Sequence, residues 1–158
     1  MKTIKMEVTG GCQCGAVRYH TDRMLDNAHL CHCRMCQKAM GNIFAALAAT
    51  PNGALKWTRG EPAVFQSSDF AERGFCAQCG TPLFYNSLDN DRINLTIGSM
   101  DHPEDFPPHN QMGTQSRVSW FANIAALEEA DFPEDTAMKA ANRQHPDHDT
   151  QEWPPKRS

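Results

Sequence analysis

The sequence predicts a mainly β domain of short antiparallel strands with little helix, and three observations carry that reading. Apolar and polar residues alternate at Ile4, Met6 and Val8 and again at Ile93, Leu95 and Ile97, the period of a half-buried strand. Ten Gly and ten Pro among 158 residues interrupt the chain too often for long helices. All seven cysteines fall in three tight clusters: Cys12-x-Cys14, Cys31-x-Cys33-x-x-Cys36 and Cys76-x-x-Cys79. Glycine flanks the first pair (Gly11, Gly15) and follows the third (Gly80), as tight turns require.

In order along the chain, residues 4–8 form a strand that GGCQCG (10–15) interrupts. Residues 16–20 return antiparallel, with Val17 and Tyr19 on one face. Residues 42–49 are a small-apolar run short enough for a buried strand, and Pro51-Asn52-Gly53 is a turn. Residues 55–57 and 63–66 are short strands around Gly60-Glu61-Pro62. Residues 73–75 lead into CAQCG and residues 83–85 lead out, giving a second hairpin with cysteines at its tip. Residues 92–97 are a further strand, followed by the Pro-rich, acidic loop SMDHPEDFPPHN. A short helix is expected at 134–143, capped by Asp131 or opened by Pro133. Residues 1–143 make a single domain, and 144–158, with little to bury, are expected to be a mobile polar tail.

A net charge of −4 offers no broad cationic surface and argues against nucleic acid as the main partner. The first twelve residues, MKTIKMEVTGGC, lack an apolar export segment, and no apolar run approaches the ~18 residues of a membrane span. A reducing cytoplasm is therefore expected, where clustered cysteines bind metal more often than they pair. The odd count agrees, since seven cannot all pair internally.

Cys-x-x-Cys aims two sulfurs at one ion from a tight turn, and Cys-x-Cys does so from an extended loop. Structural zinc takes four tetrahedral ligands, so two distant pairs complete one site. Cys12 and Cys14 with Cys76 and Cys79 suit that role at two hairpin tips. Cys31, Cys33 and Cys36 would then supply three ligands and an open fourth position, the arrangement of a catalytic zinc. Two zinc ions per chain follow. Other partitions stay open, such as Cys12/Cys14 joining Cys31/Cys33. The middle cluster could also be closed by His29, His32 or His102. A redox role for CAQC is opposed by Gly80-Thr81-Pro82, which denies the helix that such motifs open. His145 and His148 read as solvated.

At these clusters the sequence resembles the glutathione-dependent formaldehyde-activating enzyme family, which includes centromere protein V-like proteins. The matching segments are GGCQCGAVRY, CHCRMCQKAMG, RGFCAQCGTPLFY and IGSMDHP, in the family's order and covering roughly residues 5–125. The resemblance implies a β-tent of short antiparallel sheets with zinc knuckles at hairpin tips. It also implies that Cys12, Cys14, Cys76 and Cys79 hold the structural zinc and Cys31, Cys33 and Cys36 the reactive one. One departure is that Gln111-Met112-Gly113 stands where members often carry a His-apolar-aromatic stretch, with His109 two positions out of register.

A zinc held by three thiolates acidifies water weakly but suits an incoming sulfur ligand. That fits the family's carbon–sulfur lyase chemistry, in which glutathione, or another small thiol, adds to formaldehyde or a similar small aldehyde. Arg34 and Lys38, beside the middle cluster, are the expected contacts for an anionic thiol. Asp101 is a candidate proton carrier or turn residue, and no general acid or base is assigned. The alternative is a non-catalytic zinc module binding a thiol or a protein. A methionine-sulfoxide reductase is opposed by the absence of cysteine after Cys79.

Overall fold

A computed structural model describes residues 1–130 and 142–154. It is a mainly β structure of two sheets. The smaller has the order β1-β2-β5, with β1 (Thr3–Gly11), β2 (Arg18–Leu25) and β5 (Leu55–Arg59) all antiparallel. The larger contains β3 (His29–Cys31), β4 (Ala45–Pro51), β6 (Ala63–Ser68), β7 (Ala71–Phe75), β8 (Pro82–Ser87), β9 (Arg92–Thr96) and β10 (Asn110–Met112). Its order is β10-β3-β4-β9-β8-β7-β6, antiparallel except where β10 runs parallel to β3.

The alternation read from the sequence becomes the core. Val8, Tyr19 and Met24 of the small sheet, with Val17 just before β2, meet Ala48, Leu83, Phe84 and Leu95 of the large one. Tyr19 is wholly buried; its ring meets Trp57 edge-on and its hydroxyl lies 2.9 Å from Ser99 Oγ. Between the sheets, Thr21 and Thr50 share a buried 2.7 Å hydrogen bond. The strand expected to reach Ile97 stops at Thr96, because Ile97–Ser99 turns into a single 3-10 turn. No helix among the described residues is long and apolar enough to cross a membrane.

Helix α1 (Arg34–Met40) was not expected at the middle cluster. Cys33 caps its start, accepting from the Cys36 amide, and Gly41 ends it in the left-handed conformation. The expected helix at 134–143 lies almost wholly outside the described residues.

Residues 142–154 lie along the first cysteine turn, although the sequence offers them little to bury. His145 is only 4% exposed, and its ring occupies the space that a side chain at Gly15 (φ +80) would fill. Its amide donates to Gln13 O at 2.7 Å, and Trp153 Nε1 donates to Cys14 O at 2.7 Å.

Arg18 and Asp101 form a buried two-pronged pair, at 2.8 and 2.5 Å, that joins β2 to the loop after β9. Thr9 Oγ1 also donates to Asp101 at 2.5 Å, and the exposed Asp149 takes a second edge of Arg18. Burial raises the Asp101 carboxyl, but the Arg18 and Thr9 bonds outweigh it and hold the group below its usual value. Removing one partner of such a pair strands a buried charge. Asp101→Asn is expected to cost about 3 kcal/mol at pH 7 by urea unfolding, at the lower end because Asp149 remains. A depressed carboxyl stabilises above its unfolded pKa, so the difference should shrink as pH falls below about 4. A loss under about 1 kcal/mol would show that Asp149 alone suffices as counter-ion.

Candidate metal centres

The first cluster is built by two turns. Cys12 and Cys14 lie between β1 and β2, where Cys12 N donates to Val17 O and Gly15 N to Cys12 O, both at 3.0 Å. Cys76 and Cys79 lie between β7 and β8, where Gly80 N donates to Cys76 O at 2.9 Å and Cys76 N to Thr81 O at 3.0 Å. Gln13 N donates to Thr81 Oγ1 at 3.0 Å and pins one turn to the other. Two amides, of Val17 and Gln78, point at the sulfurs of Cys12 and Cys76, at 3.3 and 3.4 Å. All four sulfurs lie within 4.8 Å of one another.

Their spacing tests the fit to an ion. Sulfurs about 2.3 Å from a tetrahedral centre stand about 3.8 Å apart. Cys12–Cys14 is 3.6 Å and Cys14–Cys76 is 3.9 Å, well beyond a disulfide. Crowding sets the thiols against each other. Burial and the neighbouring Cys12 and Cys79 sulfurs push Cys14 up to about 12. Burial raises Cys79 too, but bonds from Thr81 and Cys14 bring it down to about 6. A cation among them would reverse that penalty and favour thiolate at every position.

The second cluster combines the end of β3 (Cys31), the cap of α1 (Cys33) and its first turn (Cys36), again with sulfurs within 4.8 Å. Cys31–Cys33 is 3.6 Å, which fits the same ion. No His, Asp or Glu joins either cluster among the described residues. His29 lies beside the second cluster with Nδ1 on Asn27 O. His32 is fully buried between Phe44 and Phe121, its Nε2 3.0 Å from Gln111 Oε1, and His102 is exposed.

Gln111 bridges His32 and Arg117, and Met112 O accepts from His32 N at 2.9 Å. Gly113 sits at φ +64, where a Cβ would lie 2.8 Å from the Cys33 nitrogen. This strap, residues 111–116, can therefore lie directly on the cysteine loop.

The three sulfurs open into a cavity of about 430 Å³. Met35, Met112, Leu47 and Tyr85 give it apolar walls, and Asn27, Asn90, Asn94 and Asn110 give it amides. Its cationic side chains are Arg73 and Arg92, Met1 and His29 also line it, and no carboxylate does so among the described residues. Arg34 and Lys38 are exposed on α1 and line none of it; Arg34 bonds Gln37. Asp101 lies at the other cluster, paired with Arg18. Arg73, missed in the sequence, is buried; its Nη2 donates to Cys36 Sγ at 3.4 Å and its guanidinium lies 4.9 Å from the Tyr85 ring centre. The hydrogen bond shared with Cys31 pushes the Cys36 thiol up, and burial adds to it, while Arg73 pulls the other way. That same shared bond lowers Cys31.

The profile of the glutathione-dependent formaldehyde-activating enzyme family matches residues 7–116. An uncharacterized lyase of Schizosaccharomyces pombe is 32% identical over 81 residues, which are 50% of this chain and 57% of that protein. The chain thus aligns with little more than half the length of that relative. A crystal structure of a Rhodobacter sphaeroides protein shares the fold, with a TM-score of 0.55 at 23% identity, covering 66% of this chain and 99% of the other.

Proposed function

The chain belongs to the glutathione-dependent formaldehyde-activating enzyme family, and from that premise we propose that it binds two zinc ions and adds a glutathione-type thiol to formaldehyde or a similar small aldehyde. Cys12, Cys14, Cys76 and Cys79 hold the structural zinc; Cys31, Cys33 and Cys36 hold the reactive one. The single observation that carries this reading is the second cluster itself, three thiols with no fourth donor among the described residues, opening into a 430 Å³ cavity. A cavity of that size suits a tripeptide-sized ligand.

Zinc held by three thiolates supplies a soft fourth position that favours a deprotonated sulfur at neutral pH. The chain's own residues do the rest. Arg73 offsets the charge of the thiolates beside it, Met112 and Tyr85 wall the cavity, and the amides around it offer hydrogen bonds to a peptide. Among the described residues no carboxylate lines the cavity and His29 is its one imidazole; the site contributes by holding and orienting a thiol, whose reaction with an aldehyde is facile.

Metal analysis should give about two zinc ions per chain, and glutathione should change the visible spectrum of the cobalt-substituted protein. S-methylglutathione, which has no ionisable thiol, should bind much more weakly. Equal affinities would leave a peptide groove and remove the sulfur-to-metal role.

A further inference from the structure

We propose that Arg92 anchors a distal carboxylate of an extended peptide thiol and so sets which thiols the three-cysteine site accepts. The inference rests on the reading above, that a thiol enters this cavity. It begins from the register of the large sheet. Along β9, Ile93 and Leu95 face the core, while Arg92 and Asn94 face the cavity. Tyr85 lies directly opposite Asn94 and Arg73 directly opposite Tyr85, so one face of three neighbouring strands carries the polar floor. A lining with two arginines and, among the described residues, no carboxylate, in a chain of net charge −4, is a local reversal of sign.

The two arginines are not equivalent. Arg73 is buried against Cys36 and the Tyr85 ring beside the cysteines, with its Nη1 left without a partner. Arg92 is half-buried and makes no ion pair or side-chain hydrogen bond among the described residues. Asp89, whose carboxyl feels the Arg92 charge, is bonded by Ser87 and Asn90 and stands outside the lining. Arg92 is thus the more accessible of the two, with its whole fork open to an anion, and a guanidinium matches a carboxylate with two parallel bonds.

Register also places Arg92 well away from the cysteines. Cys31 pairs with Ala45 and Arg92 with Pro51, six residues further along β4. That is roughly 20 Å of strand. Even with the arginine reaching back along the cavity, a two-carbon thiol acid falls short. A carboxylate at the end of an extended peptide comes closer to Arg92 than that of a two-carbon thiol acid does.

The test uses the cobalt-loaded protein, wild type and Arg92→Gln, titrated with glutathione and with its diethyl ester, which keeps the thiol and loses both carboxylates. Wild type should bind glutathione on the order of tenfold more tightly than the ester. Arg92→Gln should bind both alike, at the ester's level, with metal content unchanged. Arg92→Lys should regain part of the preference. A wild type indifferent to esterification, or an Arg92→Gln protein that keeps the preference, overturns the inference while leaving thiol binding intact. If neither thiol alters the cobalt spectrum of wild type, the proposed function itself fails and the inference falls with it.

Discussion

Cys79→Ser is expected to give no soluble, cooperatively folded protein. The first cluster joins the tip of the β1–β2 turn to the tip of the β7–β8 turn, with Cys14 and Cys76 sulfurs 3.9 Å apart across 62 residues of chain. Ordering so long a loop is costly without a clip, and the sequence supplies no disulfide among these thiols. A structural zinc contributes about 10–16 kcal/mol in small domains, as much as the whole stability of a typical fold, about 5–15 kcal/mol. Cys12 and Cys76 are also nearly fully buried and belong to the core beside Leu83 and Phe84. Loss of one ligand therefore loosens the metal and the packing together. Metal analysis and a thermal melt followed by near-ultraviolet circular dichroism decide it. A cooperative melt with two metals retained would show that three thiolates hold the clip.

The strands were legible because one face of each packs on a core, so the period of two survives in Ile4-Met6-Val8 and Ile93-Leu95. Even there, Ile4 remains exposed and only Val8 is buried. The cysteine groupings were legible because ligand chemistry restricts the residue type and the spacing. Elements of three residues, β3 and β10, are too short to show any period. Helix α1 has seven residues, and its signals, Cys33 at the cap and Gly41 at the end, look like further metal-loop residues in CHCRMCQKAMG. The cavity's cations were missed for a different reason. Nearness in sequence points to Arg34 and Lys38, one turn apart on the exposed side of α1. Arg73 and Arg92 reach the cavity through sheet register, which no local window contains. His145 is similar: a polar segment gives no sign that one ring will fill the space left by Gly15.

Cys36→Ser should separate the second cluster from the first, leaving a folded protein with about one metal and no response to glutathione. The cluster spans six residues, from Cys31 to Cys36, so metal binding there closes little chain and contributes little to folding. The local scaffold has its own support in the strap, where Gln37 Nε2 donates to His32 O at 2.7 Å and to Ser116 O at 2.9 Å. A serine hydroxyl can still accept from Arg73, so the buried guanidinium is not stranded. The expected cost is about 1–2 kcal/mol, a fall of several degrees in Tm. The metal loses far more, because two thiolates and a hydroxyl are a poor set for zinc at neutral pH. Both variants belong in one buffer, with melts and metal content measured side by side. An unfolded Cys36→Ser protein beside a folded, glutathione-binding Cys79→Ser protein would mean that the two clusters exchange roles, with Cys31, Cys33 and Cys36 holding the fold and the knuckle pair meeting the thiol.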